Sequence, residues 1–384
     1  MLELSTPTRN FLLLTQGRKM FIMNRTKEGG KKMRVAMITL NVYDNYGNML
    51  QKYALYKTLE KFADFVEVLW HPATKPFYPY HLETERTLEG NLKYAAFKSV
   101  REYKFKQFND ENIRTRFDIP YLEELADEYD FFVIGSDQVW NPEFKVPGRF
   151  LEFAPPEKRI AYAASIVVPE LPENVQKTYR EKILEMPHVS VREKDGCDLV
   201  EKLTGKRPVQ LVDPVLLLTA DEWRKVAKRP RWLDKKIYSN GYLMVYFLNG
   251  EVPEEIRALA KKLGLPIVNM VDKNNFDHYV TGIEEFIYLL DHATILCTYS
   301  FHGTAFAAIF KKPFIVYRAG KLRTTRFSRV GSLLELFGLS DRVSDTKLKI
   351  NLDDPLKIDF TRREEVLPLE RKKAFKFLAN ALWK

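Results

Sequence analysis

The chain has 384 residues, 45% hydrophobic and 29% charged, with 17 Gly and 20 Pro, a composition that fits two or three globular domains and argues against collagen-like, low-complexity or disordered chains. Two distant cysteines, Cys197 and Cys297, with no Cys or His at metal-ligand spacing, argue against a disulfide framework or a structural zinc site and suit a reducing compartment. The formal net charge is +10, but seven basic and two acidic groups in the first 32 residues carry half of it; the rest is of mixed sign, which favours a basic cleft for anions over a nucleic-acid surface.

Residues 1–32 hold one short apolar run, Phe11 to Leu14, soon interrupted by Gln16, Arg18 and Lys19. The run is too short to span a bilayer and no small-residue cleavage site follows, so the segment reads as an unstructured extension or an upstream start. A cytoplasmic protein is expected, with loose attachment to the inner membrane face as a variant of that reading. From Met33, short β-branched runs alternate with longer periodic stretches, the pattern of a parallel sheet covered by helices. Strands are predicted at 35–40, 66–69, 131–135, 160–165, 189–192 and 209–212, with helices at 49–62 and 195–203. The aromatic, charged stretch 71–121 reads as an insertion with a helix near 94–108. These elements define an N-terminal domain over 33–225, followed by a linker at 226–240 inside a Lys-, Arg- and Trp-rich stretch.

A second alternation predicts strands at 242–248, 266–271, 294–298 and 313–317 and helices at 253–263, 283–292, 304–311 and 332–337, a C-terminal domain over 241–350. A tail, 351–384, ends in a basic amphipathic helix at 370–383 whose apolar side must pack on something. The fold class is thus α/β: two facing Rossmann-like, doubly wound parallel-sheet domains with a cleft between them and a C-terminal helix.

In such sheets ligands bind beyond the carboxyl ends of strands, so polar residues there carry the most weight. Asn45-Tyr46-Gly47-Asn48 follows the first strand; Gly47 permits a tight turn, and Asn48 can cap the next helix and leave its N–H groups for an anion, or the segment is only a turn. No GxGxxG is present. Gly135-Ser136-Asp137-Gln138-Val139-Trp140-Asn141 crowds hydrogen-bonding side chains into one loop, with Asp137 able to accept from a hydroxyl or position an Arg. Arg192-Glu193 is expected at a solvent-facing strand end, as an anion fork or as a salt bridge with Glu193 or Asp195. Asp213-Pro214 ends another strand.

The sharpest signal is Thr298-Tyr299-Ser300-Phe301-His302-Gly303-Thr304, between a strand and an apolar helix. There His302 would face the cleft with few core contacts, at a helix's positive end, beside Ser300 and backbone donors suited to a phosphate or carboxylate. Imidazole can give or take a proton near neutral pH. Beyond the strand ending at Tyr317, Arg318, Lys321, Arg323, Arg326 and Arg329 form a basic run that is either a solvated face or a loop closing on an anion.

Together these motifs resemble the polysaccharide pyruvyl transferase family: Asn-Tyr-Gly-Asn at 45–48, Ile-Gly-Ser-Asp-Gln-Val-Trp-Asn at 134–141, Val-Arg-Glu at 191–193, Val-Asp-Pro at 212–214, Glu-Glu-Phe at 284–286 and Ser-Phe-His-Gly-Thr at 300–304. Tyr299 stands where the family often has Asp, and Ile283 where it often has Pro. The resemblance implies a fold like that of GT-B glycosyltransferases and transfer of pyruvate from phosphoenolpyruvate to a sugar diol of a polysaccharide or lipid-linked precursor, as a cyclic ketal, without a cofactor or metal. It makes His302 and Arg192 the catalytic pair. The donor would meet Asn45, Gly47, Ser300, Gly303, Thr304, Arg326 and Arg329, while Asp137, Gln138, Asp213, Glu284 and Glu285 would serve acceptor or donor. Two other readings use the same fold: a nucleotide-sugar glycosyltransferase with Glu284 or Glu285 on a ribose, and a non-catalytic carbohydrate-binding protein.

Overall fold

The computed structural model describes residues 32–71, 88–121, 123–248, 251–318, 325–344 and 354–383, with 88–91 and 325–327 as backbone only, and the backbone of two short strands, β1 (Leu13–Thr15) and β2 (Arg18–Met20), paired antiparallel. The N-terminal domain runs β3 (Arg34–Ile38), α1 (Tyr46–Leu59), β4 (Phe65–Leu69), α2 (Leu88–Asn112), β5 (Thr115–Arg116), α3 (Leu125–Glu128), β6 (Phe131–Gly135), β7 (Arg159–Ala164), α4 (Glu173–Leu184), β8 (His188–Val191), α5 (Lys194–Thr204), β9 (Val209–Gln210) and α6 (Ala220–Arg224). The C-terminal domain follows with β10 (Leu243–Tyr246), α7 (Glu254–Leu263), β11 (Ile267–Asn269), α8 (Phe276–Tyr279), α9 (Ile283–His292), β12 (Ile295–Thr298), α10 (Phe301–Phe310), β13 (Phe314–Tyr317), α11 (Thr325–Phe337) and β14 (Val343–Ser344). Last comes α12 (Thr361–Leu382).

All seven strands of the first sheet are parallel, in the order β5-β4-β3-β6-β7-β8-β9, and all five of the second, in the order β11-β10-β12-β13-β14. Strands β7, β10, β12 and β13 are buried at every position, as parallel strands with both faces covered must be, which is why they read as unbroken apolar runs. Strand order reverses between β3 and β6 in one sheet and between β10 and β12 in the other. The loops after those strands diverge there and leave room for a ligand; they are the loops carrying Asn45, Asp137 and His302.

Two devices join the domains. The stretch at 71–121 supplies a 25-residue helix, α2, longer than predicted, and the edge strand β5. From α2, buried Arg101 donates to the carbonyls of Met270 and Tyr279 in the C-terminal domain and of Asp44 in the N-terminal one, with its guanidinium 4.4 Å from the Tyr46 ring centre. Tyr46 in turn stacks on Phe286 at 3.9 Å and donates its hydroxyl to the Thr281 carbonyl at 2.6 Å. The second device is α12. Its sequence is C-terminal, yet it packs back on the N-terminal domain: Arg371 donates to the Leu216 and Leu218 carbonyls, Trp383 Nε1 to Phe62, and Phe375 stacks on Phe62. The apolar residues of 370–383 find their partner there, while the first turns of α12 stay on the C-terminal domain, with Arg362 donating to the Leu336 carbonyl, Arg363 to the Ile309 carbonyl and Glu364 pairing with Lys311, so the helix spans both domains.

Helices α3, α4 and α8 and strands β1, β2, β5 and β14 have no counterpart in the sequence prediction; apart from α4 each is four residues or shorter. Cys197 and Cys297 are free and buried, and burial pushes their thiols up to about 11 and about 12. Among the described residues no helix is long and apolar enough to cross a membrane. If Tyr46 fastens the domains as drawn, Tyr46→Phe should cost about 1 kcal/mol, the net worth of one hydrogen bond, and Tyr46→Ala about 3–5 kcal/mol for the lost ring. Urea unfolding measures both, and equal losses in the two variants would remove the ring from this role.

Candidate active site

The site forms where strand ends of both sheets meet. Strand β6 stops at Gly135, packed so close to the Tyr162 carbonyl that a Cβ there would overlap it. Asp137 follows with φ at 59°, in the left-handed region, and its carbonyl accepts from Val139 N and Ser165 N. Next door β7 bulges: its register against β8 shifts between Ala161 and Ala164, with Ala163 at φ 45°. The bulge presents the Ala163 carbonyl to Ser136 Oγ at 3.0 Å and puts Ser165 Oγ 2.6 Å from Glu193 Oε1. Bulges of this kind re-aim side chains at strand ends.

Arg192, just past β8, is the hub. Its Nη1 donates to Asp213 Oδ2 at 2.5 Å and its Nε to Glu193 Oε1 at 2.9 Å; Nη2 stands 3.8 Å from Asp137 Oδ1 without a hydrogen bond. The guanidinium lies 4.6 Å from the Phe301 ring centre, a cation–π contact from the other domain. Its side chain is 3% exposed, so the expected solvent-facing strand end is corrected: the carboxylates of Glu193 and Asp213 draw the charge inward, and Asp195 is not a partner.

Asp213 is fully buried and caps the turn at Pro214 by accepting from Val215 N through Oδ1. Its Oδ2 takes Arg192 and stands 3.6 Å from His302 Nε2. Burial alone would raise this carboxyl, but the His302 imidazole, the Arg192 guanidinium and the Val215 N–H outweigh it and hold the group well below the usual carboxylate range.

His302 sits in the first turn of α10 and is 8% exposed, more deeply set than a free cleft residue. One edge faces Asp213; the other lies against Gly47, where a Cβ would overlap Nδ1. Gly47 is therefore not a turn residue. It lies inside α1, which starts at Tyr46 rather than Met49, and its missing side chain admits the imidazole. Asn45, exposed, is the N-cap, accepting from Asn48 N. Asn48, expected as the cap, instead accepts from Val42 N and reaches Asp137 Oδ2 at 3.5 Å.

Ser300 caps α10 by accepting from Gly303 N, and the Thr304 hydroxyl donates to the Ser300 carbonyl. Gly303 is packed on Thr298, where a Cβ would stand 2.8 Å from Oγ1. Arg329, on α11, brings Nη1 within 4.0 Å of Asp137 Oδ1. Arg326 lies in α11 with its side chain outside the described residues; Lys321 and Arg323 lie outside the described residues altogether. Gln138 accepts from Asn141 Nδ2 at 3.0 Å. The structure does not bring Glu284 or Glu285 to this cluster: Glu284 pairs with Lys228 at 2.6 Å, and Glu285 with Lys104 at 2.9 Å and the Gly282 N–H.

Two cavities flank Glu193 and Arg329. The larger, about 300 Å³, is lined by Arg192, Asp213, Phe301 and, from α12, Arg362 and Lys373. The smaller, about 150 Å³, is lined by Val167, Val168, Pro169, Asp195, Gly196 and Ser328 besides the shared pair. Sequence reading had no means of finding Ser165, or the α12 residues, whose approach depends on the helix returning across the first domain. Glu193 was visible, but only as a neighbour of Arg192. Arg192 Nη2, Glu193 Oε2 and His302 Nε2 are all buried without a hydrogen-bond partner. Among the described residues, no group of three or more His, Cys, Asp or Glu could hold a metal ion.

Two facing parallel-sheet domains with a charged, imidazole-bearing cleft at their strand ends define a GT-B-like α/β protein. Residues 45–319 match the family model "Polysaccharide pyruvyl transferase", so the chain belongs to the polysaccharide pyruvyl transferase family. No curated protein matches it in sequence. Solved structures similar to it include the UDP-GlcNAc 2-epimerase of Neisseria meningitidis bound to UDP-GlcNAc, with 13% identity, TM-score 0.44 and coverage of 91% of this chain and 99% of that one. A glycosyltransferase of Rickettsia africae has 12% identity, TM-score 0.45 and coverage of 91% and 94%. An Anabaena protein in complex with UDP and glucose has 10% identity, TM-score 0.46 and coverage of 90% and 95%.

The Gly47–His302 contact predicts that Gly47→Ala, which favours the helix by up to about 1 kcal/mol, leaves the protein folded but displaces the imidazole. Circular dichroism should be unchanged and the His302 ring resonances should shift; unmoved resonances would refute the contact. Asp213→Asn should cost about 3–5 kcal/mol at pH 7 by uncovering Arg192. Because the folded carboxyl titrates below its unfolded value near 4, the wild-type advantage is complete above about pH 4 and is lost as pH falls below it toward the folded value. Urea midpoints at pH 7 and 3 test this, and a constant gap would contradict it.

Proposed function

We propose that the protein transfers the pyruvyl group of phosphoenolpyruvate to two hydroxyls of a sugar, in a cell-surface polysaccharide or its lipid-linked precursor, closing a cyclic ketal. The observation that supports this is the set of buried polar atoms without partners on one cluster: a guanidinium arm, Arg192 Nη2, next to an imidazole, His302. A buried donor without an acceptor costs free energy, and a carboxylate or phosphate of the donor would supply one. Fixed in place by Asp213 and Glu193, the guanidinium meets developing charge without reorganising.

The reaction balances without a redox partner. The methylene carbon of the enol phosphate gains a proton and becomes the ketal methyl; the carbon–oxygen bond to phosphate breaks; two carbon–oxygen bonds to sugar hydroxyls form. Of the two hydroxyl protons released, one offsets the proton taken by the methylene and the other leaves with phosphate. His302 handles the proton. Arg192 and Arg329 hold the donor, and the pocket with Phe301 shields it. Glu284 and Glu285, needed for ribose in the nucleotide-sugar reading, are engaged by Lys228, Lys104 and the α9 N-terminus, which favours pyruvyl transfer. The +10 charge suits work in the cytoplasm at an anionic membrane face.

Phosphate release from phosphoenolpyruvate with candidate lipid-linked sugars is the direct test. His302→Ala should lower kcat at least about 10²-fold, and Arg192→Lys, which keeps the charge but not the fork, should weaken phosphoenolpyruvate binding at least about tenfold. Binding of UDP-sugars in place of phosphoenolpyruvate, read by thermal shift, would overturn the assignment.

A further inference from the structure

Glu193 has two carboxylate oxygens with different fates. Oε1 is saturated, accepting from Ser165 Oγ at 2.6 Å and Arg192 Nε at 2.9 Å. Oε2 has no hydrogen-bond partner, although the residue is 4% exposed. Leaving a buried carboxylate oxygen bare is expensive, and nothing in the Arg192 cluster requires it: Arg192 and Ser165 are both served by the other oxygen. Oε2 lies on the Gly196 side, 3.6 Å from where a Cβ on Gly196 would stand, and Glu193 and Gly196 both line the 150 Å³ cavity.

The remaining walls of that cavity are unlike an ordinary crevice between helices. Val167 holds φ at 71°, a conformation that a β-branched residue adopts only under constraint. Asp195 adds a second carboxylate, and Ser328 and Arg329 of α11 close the cavity from the other domain. Acceptors thus face donors across a gap holding about five waters' volume, room for one sugar face and not for a polymer. Glu193 also lines the larger cavity that holds Arg192 and Phe301, so it stands in the wall between the two.

We propose that the smaller cavity is a hydroxyl-binding subsite for a sugar, with Glu193 Oε2 accepting a hydrogen bond from one of its hydroxyls. The ligand chemistry follows from the lining: a bare carboxylate oxygen beside a second carboxylate repels an anion and calls for a neutral donor, while Ser328 and Arg329 bound the cavity on its facing wall. Naming the sugar as the acceptor of pyruvyl transfer rests on the proposed function; the hydroxyl subsite itself does not. Glu193 therefore orders the donor side through Oε1 and the acceptor side through Oε2.

Saturation-transfer NMR on the full chain, with methyl glycosides of glucose, galactose and mannose as probes and phosphoenolpyruvate affinity measured on the same samples, tests this. At least one glycoside should bind the wild type. Glu193→Gln, which keeps an oxygen for Ser165 and Arg192 but replaces Oε2 with an amide donor, should weaken that glycoside at least about tenfold. Ser328→Phe, which fills the cavity from the opposite wall and leaves the Arg192 cluster intact, should weaken it as much while phosphoenolpyruvate binding changes less than about twofold, and serves alone if Glu193→Gln fails to fold. No glycoside binding to wild type, or unchanged glycoside affinity in the folded variants, overturns the subsite. Glycoside binding without any phosphoenolpyruvate binding would leave the subsite standing and sink the proposed donor instead.

Discussion

The buried pair of Arg192 and Asp213 is the constraint on which the site depends. A guanidinium and a carboxylate, both nearly sealed from water, attract strongly but pay a desolvation cost of several kcal/mol each. The surroundings offset that cost from both domains. Val215 N–H and the His302 edge serve Asp213; Glu193 and the face of Phe301 serve Arg192. Because His302 and Phe301 come from one strand-to-helix turn and the rest from the other domain, the ion pair fixes the relative position of the motifs as well as their charge states. Removing any partner leaves a buried charge exposed to apolar surroundings, so this arrangement is sensitive to substitution in a way that surface pairs such as Lys202–Glu170 are not.

Close approach is the second constraint, and glycines provide it. Gly47 yields the volume that the His302 ring occupies, Gly303 lets α10 lie against Thr298 at the end of β12, and Gly135 lets β6 end against the Tyr162 carbonyl. None of the three needs a left-handed backbone, so each is there for the space that a Cβ would fill. Left-handed backbone at non-glycine residues lies elsewhere: at Asp137, Ala163 and Val167, beyond or near the carboxyl ends of β6 and β7, and at Asp118, Leu151 and Lys311 away from the cluster. The first three hold strained backbone beside the charged cluster, as pre-formed binding surfaces often do.

Much of this was legible in the sequence. Parallel strands covered on both sides are unbroken apolar runs between amphipathic stretches, so both sheets and the switch-point loops follow from pattern alone; helix α9 matches its prediction at both ends. The residues that meet at the site, Asp137, Arg192, Asp213, His302 and Arg329, could each be singled out because each follows a strand or opens a helix. What pattern does not carry is burial depth and direction. Arg192 looked solvent-facing because Arg usually is, and the carboxylates of Glu193 beside it and Asp213 beyond β9 turn it inward. Asn48 looked like a cap because it precedes Met49, while the true cap stands three residues earlier. Two-residue strands such as β5 and β14 are too short to have a period, and the returning path of α12 is a tertiary fact.

Arg101 and α12 bear on how such a site can work. Three carbonyls from both domains converge on Arg101, and α12 reaches back from the second domain to hold Phe62, Leu216 and Leu218 of the first. A wide hinge opening would break charged hydrogen bonds at one strap and expose apolar surface at the other. The cleft is thus held near its closed geometry before any ligand arrives, and the buried Arg192, Asp213 and His302 cluster keeps its orientation without being assembled by substrate. Electrostatic stabilisation is greatest when dipoles and charges are already aimed, and a doubly strapped cleft keeps them so, with the small cavities beside Glu193 as the places where molecules must fit into it.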